Sequence, residues 1–267
     1  DAEDRILNKY LDKDFTDIAE KTFTEKGIKI ATSEKVIKFE SVNGEVSKVI
    51  TDKNEYEAEM VIMCVGFRPN TEIFKGQLDM LPNGAINVDE YMRTSDKDVM
   101  AAGDCCSVFF NPTREHMYIP LATNAVRMGT LAAINIVENK IKHPGTQGTS
   151  GIKIYENNMA STGITEEIAK QLGIDADFVY AVDNYRPEFM PTYEKVTLKV
   201  VFEKESRRIL GAQLTSKADL TQSINTISVC IQNNMTIDQL AFVDFFFQPH
   251  YNKPWNFINL AGLNALK

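Results

Sequence analysis

Residues 94–104, TSDKDVMAAGD, constrain this chain more than any other stretch, because they set an apolar run, a glycine and a carboxylate in a fixed order. Val99, Met100, Ala101 and Ala102 predict a short buried strand. Gly103 has no Cβ to hold a neighbouring backbone away, and Asp104 follows at once as an acceptor for hydroxyl groups. A carboxylate delivered at the end of a buried strand suits a polyol. A plain structural turn is the competing reading, since strands ending in Gly-Asp are common. From Pro120 the sequence predicts a helix: apolar residues recur at 121, 125, 128, 132 and 136, and Gly129, Ala132 and Ala133 leave room for close packing.

Before this region, Phe15, Ile18, Ala19 and Phe23 recur at helical spacing, Gly27 closes the helix, and residues 28–30 begin a strand. VIKFESVNGEVSKVI alternates apolar and polar residues around Asn43-Gly44, a strong hairpin signal. AEMVIMCVG, residues 58–66, then predicts a central strand. Beyond residue 142, GIKIYE, FVYAV, KVTLKVVF and RILGAQL predict antiparallel strands, with FEKESRR turning between the last two. Thr165 starts a helix that Gly173 stops, and Thr236 with Gln239 forms a capping-box pattern. Leu220, Ile224, Ile227 and Ile231 share one helix face and read first as core.

At 267 residues the chain can bury ample core and should hold more than one structural unit. A net charge of -8 and a pI near 5.1 argue against nucleic acid or anionic membrane as partners, because no basic patch exists to meet phosphates. No apolar run approaches the roughly 20 residues that span a bilayer. Cys64 and Cys230 lie in apolar runs and read as small buried hydrophobes. Cys105 and Cys106 are adjacent, but the chain has no CxxC or Cys/His ligand spacing, and adjacent cysteines pair only through a strained ring. No metal site is expected.

The string at 94–104 closely resembles the second flavin fingerprint of the FAD-dependent pyridine nucleotide-disulfide oxidoreductases. MVIMCVGFRPNT (60–71) resembles the junction where that family's NAD domain returns to its FAD domain. ILGAQLTSKADLTQSINTIS and DFFFQPHYNKPWNFINLAG resemble the C-terminal dimerisation domain of the bacterial NADH oxidase and NADH peroxidase branch. The implied fold class is α/β and α+β, with partial nucleotide-binding, Rossmann-like FAD and NAD domains plus a C-terminal α+β dimerisation domain. The implied boundaries are 1–66 for the second half of the NAD domain, 67–142 for the end of the FAD domain, and 143–267 for the dimerisation domain.

The resemblance also implies roles. Asp104 would bind the ribitol of FAD, and the backbone N–H groups around Leu121, Ala122 and Thr123 would point at the flavin edge where charge gathers on reduction. Phe247 would wall the flavin of a partner subunit, which makes the expected assembly a homodimer and gives the 220–231 stripe a partly intersubunit role. For NADH, Asp1 would accept from the adenosine ribose, Tyr10 would lie near the adenosine, and Gly66 and Gly151 would admit the nicotinamide end. Without the resemblance, Asp1 reads as solvated surface, Tyr10 as helix packing and Gly66 as a turn residue. His250 stands near the place of a catalytic histidine in more distant relatives, but the HPT pattern found there is absent, so surface or interface packing is favoured.

The complete family carries two Gly-rich pyrophosphate loops, and no GxGxxG occurs here. The expectation is therefore the C-terminal part of a longer cytoplasmic enzyme whose redox cysteine lies elsewhere. The implied reaction carries hydride from NADH through FAD to dioxygen, giving water. DNYRPEFM favours the oxidases over the alternatives, NADH peroxidase, with peroxide as acceptor, or CoA-disulfide reductase. Isolated, the chain is expected to be an inactive dimerisation and cofactor-edge module.

Overall fold

The computed structural model describes residues 1–267, which divide into two compact units, Asp1–Gly66 and Phe67–Lys267. In the first, helix α1 (Lys13–Glu25) buries Phe15, Thr16, Ala19 and Thr22, together with Leu11 just before it. Ile18, expected on that face, is exposed instead. The hairpin forms as its sequence dictates: β1 (Val36–Val42) pairs antiparallel with β2 (Glu45–Thr51), and Val42 faces Glu45 across the turn. Asn43 and Gly44 both adopt positive φ, 53° and 86°, the geometry that matches the twist of a two-residue hairpin. A short third strand, β3 (Glu55–Glu57), completes the sheet against β2.

A buried carboxylate ties this unit together. Glu34 accepts hydrogen bonds from Thr51 Oγ1 (2.5 Å), Asn54 Nδ2 (3.1 Å) and the Tyr56 hydroxyl (2.9 Å), and its N–H donates to the Asp1 carbonyl (2.9 Å). The Thr51 bond above all, then those of Tyr56 and Asn54, hold the Glu34 carboxyl below the usual carboxylate range, outweighing the opposing effect of burial. A depressed carboxyl stabilises the fold fully above its unfolded pKa and loses that contribution as pH falls through the folded value. The protection factors of the hairpin amides are therefore expected to fall on the acid side of the carboxylate range, and Glu34→Gln to remove that dependence. An unchanged acid limb in the variant would show that Glu34 is not its source.

Two expected strands of this unit do not form. Residues 28–30 and 58–66 belong to no strand, and Met60, Ile62, Met63 and Val65 are largely exposed. Cys64, read from sequence as buried, is exposed. The apolar pattern is that of a strand, but no neighbouring strand within the unit offers its N–H and C=O groups.

The second unit begins with loops and isolated bridges around a core of Ile86, Val88, Met92, Ala101, Cys106, Val108 and Met128. A hairpin of β4 (Val108–Phe110) and β5 (Glu115–Met117) precedes α2 (Ala122–Asn135). The helix ends at Asn135 because that buried side chain turns to its own loop, donating to the Ile141 carbonyl (2.8 Å) and accepting from the N–H groups of Lys140 and Ile141 (2.9 Å each). Ile136, expected on the apolar stripe, falls beyond the helix and is exposed.

The rest is an antiparallel five-stranded sheet in the order β6-β7-β10-β9-β8: β6 (Ser150–Ile154), β7 (Asn157–Gly163), β8 (Ala176–Asn184), β9 (Lys195–Glu203) and β10 (Ile209–Ser216). Period-two alternation on β9 puts Val196, Leu198, Val200 and Phe202 into one core with α4 (Ile224–Gln232), α5 (Ile237–Leu240) and α6 (Phe257–Asn264). Val201 faces the other way, joining Ala169 of α3 (Glu166–Gln171). Thr165 caps α3 by accepting from Ile168 N–H, and Thr236 and Gln239 form both bonds of the capping box. Ile224, Ile227 and Ile231 lie in this unit's own core, as the first reading of that stripe expects, and Leu220 packs partly buried against it. No helix is long and apolar enough to cross a membrane.

Candidate functional site

The turn at Gly103-Asp104 is held on both sides. Ile86 N–H donates to the Cys105 carbonyl (3.0 Å) and Ser107 N–H to the Ile86 carbonyl (2.8 Å), so residues 105–107 run beside residue 86. The regular strand expected at 99–102 is absent; Met100 makes only an isolated bridge to Arg93. Gly103 takes φ +83°, and a Cβ there would lie 3.3 Å from the Ala125 Cβ. The glycine thus lets the turn press against the first turn of α2 and leaves the Asp104 side chain exposed beside it.

That first turn is open. Leu121 caps α2 without a side-chain hydrogen bond, and the earliest helical bond runs from Ala125 N–H to the Leu121 carbonyl (3.0 Å). Ala122 and Thr123 are exposed. The free N–H groups and the positive end of the helix dipole both favour an anionic or electron-rich group here. Asn124 fixes the helix start: its amide donates to the Ile119 carbonyl (3.0 Å), and its carbonyl oxygen accepts from Thr146 Oγ1 (2.9 Å) and Arg127 (2.7 Å).

Two contributors escaped the sequence reading, Asn124 and Tyr118. Burial pushes the Tyr118 phenol up, and the nearby charges of Asp104 and Cys105 push it further, so the β4–β5 hairpin delivers an aromatic hydroxyl to the same region. An asparagine in the first turn of the expected helix was the available signal for the first. For Tyr118 there was none. Cys105 and Cys106 are free thiols that donate to the carbonyls of Ala102 and Gly103, at 3.4 Å each.

The remaining residues lie as follows. In the first unit, the exposed Asp1 accepts from Glu3 N–H at 2.9 Å, Tyr10 is half exposed, and Gly66 ends the unit with φ +97° and open space where a Cβ would be. In the second, Gly151 sits on β6 opposite Ala160. Phe247 and His250 lie between α5 and α6 in a segment with exposed Phe246, Tyr251 and Trp255, and His250 engages Gln248 alongside it. No group of three or more His, Cys, Asp or Glu residues could hold a metal ion.

The chain belongs to the pyridine nucleotide-disulphide oxidoreductase family. The model of that family's oxidoreductase domain matches residues 1–129, and that of its dimerisation domain matches residues 149–256. The α/β plus α+β fold class, with partial FAD/NAD domains and a dimerisation domain, is borne out. Among curated relatives, an NADH oxidase of Enterococcus faecalis is 55% identical over 268 residues, and one of Streptococcus pyogenes is 47% identical over 266. All of this chain, but 60% of the first relative, is aligned, so the chain spans about 60% of the length of its curated relatives. The solved structure of a water-forming NADH oxidase from Lactobacillus brevis, bound to NADH, superposes with a TM-score of 0.97 at 48% identity, covering 100% of this chain and 59% of the other.

Proposed function

We propose that this chain is the larger, C-terminal part of a cytoplasmic, water-forming NADH oxidase. The reaction carries hydride from NADH through FAD and a redox cysteine outside these residues to dioxygen. The observation that carries the reading is the exposed Asp104 carboxylate pressed by Gly103 against the uncapped first turn of α2. These residues fit a flavin: a carboxylate for polyol hydroxyls beside N–H groups with no internal acceptor. FAD, when bound, supplies the two-electron carrier between NADH and the acceptor.

Asp104 would accept from the ribityl hydroxyls. The N–H groups around Leu121, Ala122 and Thr123, with the dipole behind them, would favour charge on the flavin edge by roughly 0.3–2 kcal/mol. Asp1 would accept from the adenosine ribose of NADH, Tyr10 would pack near the adenosine, and Gly66 and Gly151 would give the nicotinamide end room. An engineered NADPH-using derivative of the Lactobacillus brevis enzyme carries aspartate to alanine and, at the next position, alanine to arginine. This chain opens with the same pair, Asp1-Ala2, which supports NADH over NADPH. Phe247 is assigned to the wall over the flavin of a homodimer partner, supported by its exposed aromatic neighbours, and His250 to packing. The domain division is 1–66, 67–142 and 143–267.

The test is the ratio of NADH to dioxygen consumed by the full-length enzyme. Two NADH per dioxygen, without peroxide, is the expected result, because reduction to two waters takes four electrons. One NADH per dioxygen with peroxide released, or turnover with peroxide but not dioxygen, would replace the reading with a peroxide-forming oxidase or a peroxidase. The 267-residue chain alone is expected to stay colourless when mixed with FAD and to show no turnover.

A further inference from the structure

Asn43-Gly44 and Asn83-Gly84 are the two Asn-Gly pairs of the chain. In such a pair the glycine nitrogen can attack the asparagine Cγ, because the glycine has no Cβ to shield it. The two pairs are chemically alike, but the fold treats them differently. Asn43 and Gly44 make up the whole loop of the β1–β2 hairpin, with Val42 facing Glu45 across it. Both residues are exposed, the Asn43 side chain makes no hydrogen bond, and the Gly44 N–H has no acceptor. Nothing lies within 4 Å of where a Gly44 Cβ would stand. The attacking nitrogen and the amide it attacks are therefore both unrestrained.

Asn83-Gly84 sits instead in a turn that Pro82 presets. The Gly84 N–H donates to the Leu81 carbonyl (2.9 Å), the Gly84 carbonyl accepts from the buried Thr71 hydroxyl (2.6 Å), and Asn83 Oδ1 accepts from the Ala85 N–H (3.1 Å). Thr71 Oγ1 and Pro69 Cγ also lie 3.4 and 3.8 Å from where a Gly84 Cβ would be. Attack by the Gly84 nitrogen must first break these bonds. At Asn43 only the hairpin tip has to open, and exposed loop tips open at the least cost. We propose that Asn43 is a site of spontaneous deamidation, while Asn83 is held unreactive by its turn. The Gly44 nitrogen loses its proton and bonds to Asn43 Cγ; the Cγ–Nδ2 bond breaks, ammonia leaves, and a succinimide remains. Water then opens the ring at either carbonyl, giving aspartate or isoaspartate with no change of oxidation state. Isoaspartate adds one carbon to the main chain of a two-residue loop whose length fixes the β1–β2 register, so that product loosens the hairpin.

Peptide mapping by mass spectrometry tests this, on the 267-residue chain held at mildly alkaline pH, once folded and once in urea. In the folded chain Asn43 is expected to convert at least about tenfold faster than Asn83, the factor set by the hydrogen bonds around Gly84. In urea the two should convert at similar rates, because the turn that protects Asn83 is gone. Thr71→Val keeps the side-chain shape and removes the hydroxyl, so it is expected to speed Asn83 and leave Asn43 unchanged. Should that variant not fold, the comparison of folded and urea-treated parent chain decides the matter. Equal rates in the folded chain, faster conversion at Asn83, no conversion of folded Asn43 while the unfolded chain reacts, or a tenfold difference that persists in urea would overturn the proposal.

Discussion

Gly211→Ala is expected to unfold the sheet unit. Gly211 on β10 stands directly opposite Gly163 on β7, and the chain leaving β7 passes so close that a Cβ on Gly211 would lie 2.0 Å from the Ile164 carbonyl oxygen and 2.7 Å from its nitrogen. Both are backbone atoms, so no rotamer change relieves the clash. The strands must part, breaking the bond from Ile164 N–H to the Leu210 carbonyl (3.1 Å) beside it. Gly163 is bound the same way, since its own Cβ would lie 2.1 Å from the Leu210 carbonyl oxygen. Such overpacking belongs with the exceptional substitutions that cost more than about 4 kcal/mol, a large share of a domain's stability. Denaturant unfolding checks this, with Gly129→Ala as the control. That position on α2 has nothing within 4 Å, and alanine there should be neutral or stabilising by up to about 1 kcal/mol. A Gly211→Ala midpoint equal to that of the parent would show that the backbone can yield.

Asp104→Ala in the full-length enzyme is expected to cost flavin affinity. Hydrogen bonds to a charged group are worth about 1.5–3 kcal/mol, which corresponds to roughly 10- to 150-fold in Kd. Asp104→Asn should fall between the two, because an amide oxygen still accepts but carries no charge. Flavin content after purification and an apoprotein titration with FAD measure both. The expected pattern is loss of FAD with the fold intact, since the Asp104 side chain is exposed and the turn is held through Cys105 and Ser107 backbone groups. Affinity unchanged in Asp104→Ala would remove the carboxylate from the proposed site.

Local chemistry made part of this fold legible. Asn43-Gly44, the Thr165 cap and the Thr236-Gln239 box each specify a conformation within a few residues, and each formed. Alternation on β9 was equally plain. Strands at 58–66 and 99–102 were misread because apolar content reports an appetite for pairing, while a strand also needs a neighbour with matching N–H and C=O groups. The opposite error hid β7. NNMASTG looks like loop, yet it is the second strand of the sheet, its polar groups satisfied by bonds such as Asn158 Nδ2 to the Lys217 carbonyl (2.9 Å) and Thr162 to Thr149 (2.7 Å). At the candidate site, Gly103-Asp104 could be read from adjacency alone. Tyr118 could not, because Asn111-Pro112 marks the turn of the β4–β5 hairpin but not which side chain the returning strand brings to the site.

The uncovered run from Met60 to Val65 carries a handling consequence. VIMCVG combines high β-propensity with no charge and no proline, the composition of segments that stack into steric zippers. Left exposed and outside any strand, it offers a template for another copy to pair with, and Cys64 within it can then lock two copies together by oxidation. Aggregation of the isolated chain should therefore rise with protein concentration and slow when a lysine replaces Ile62. The exposed run that finds no partner within the fold should be, in the test tube, the segment that limits how long the polypeptide stays dispersed.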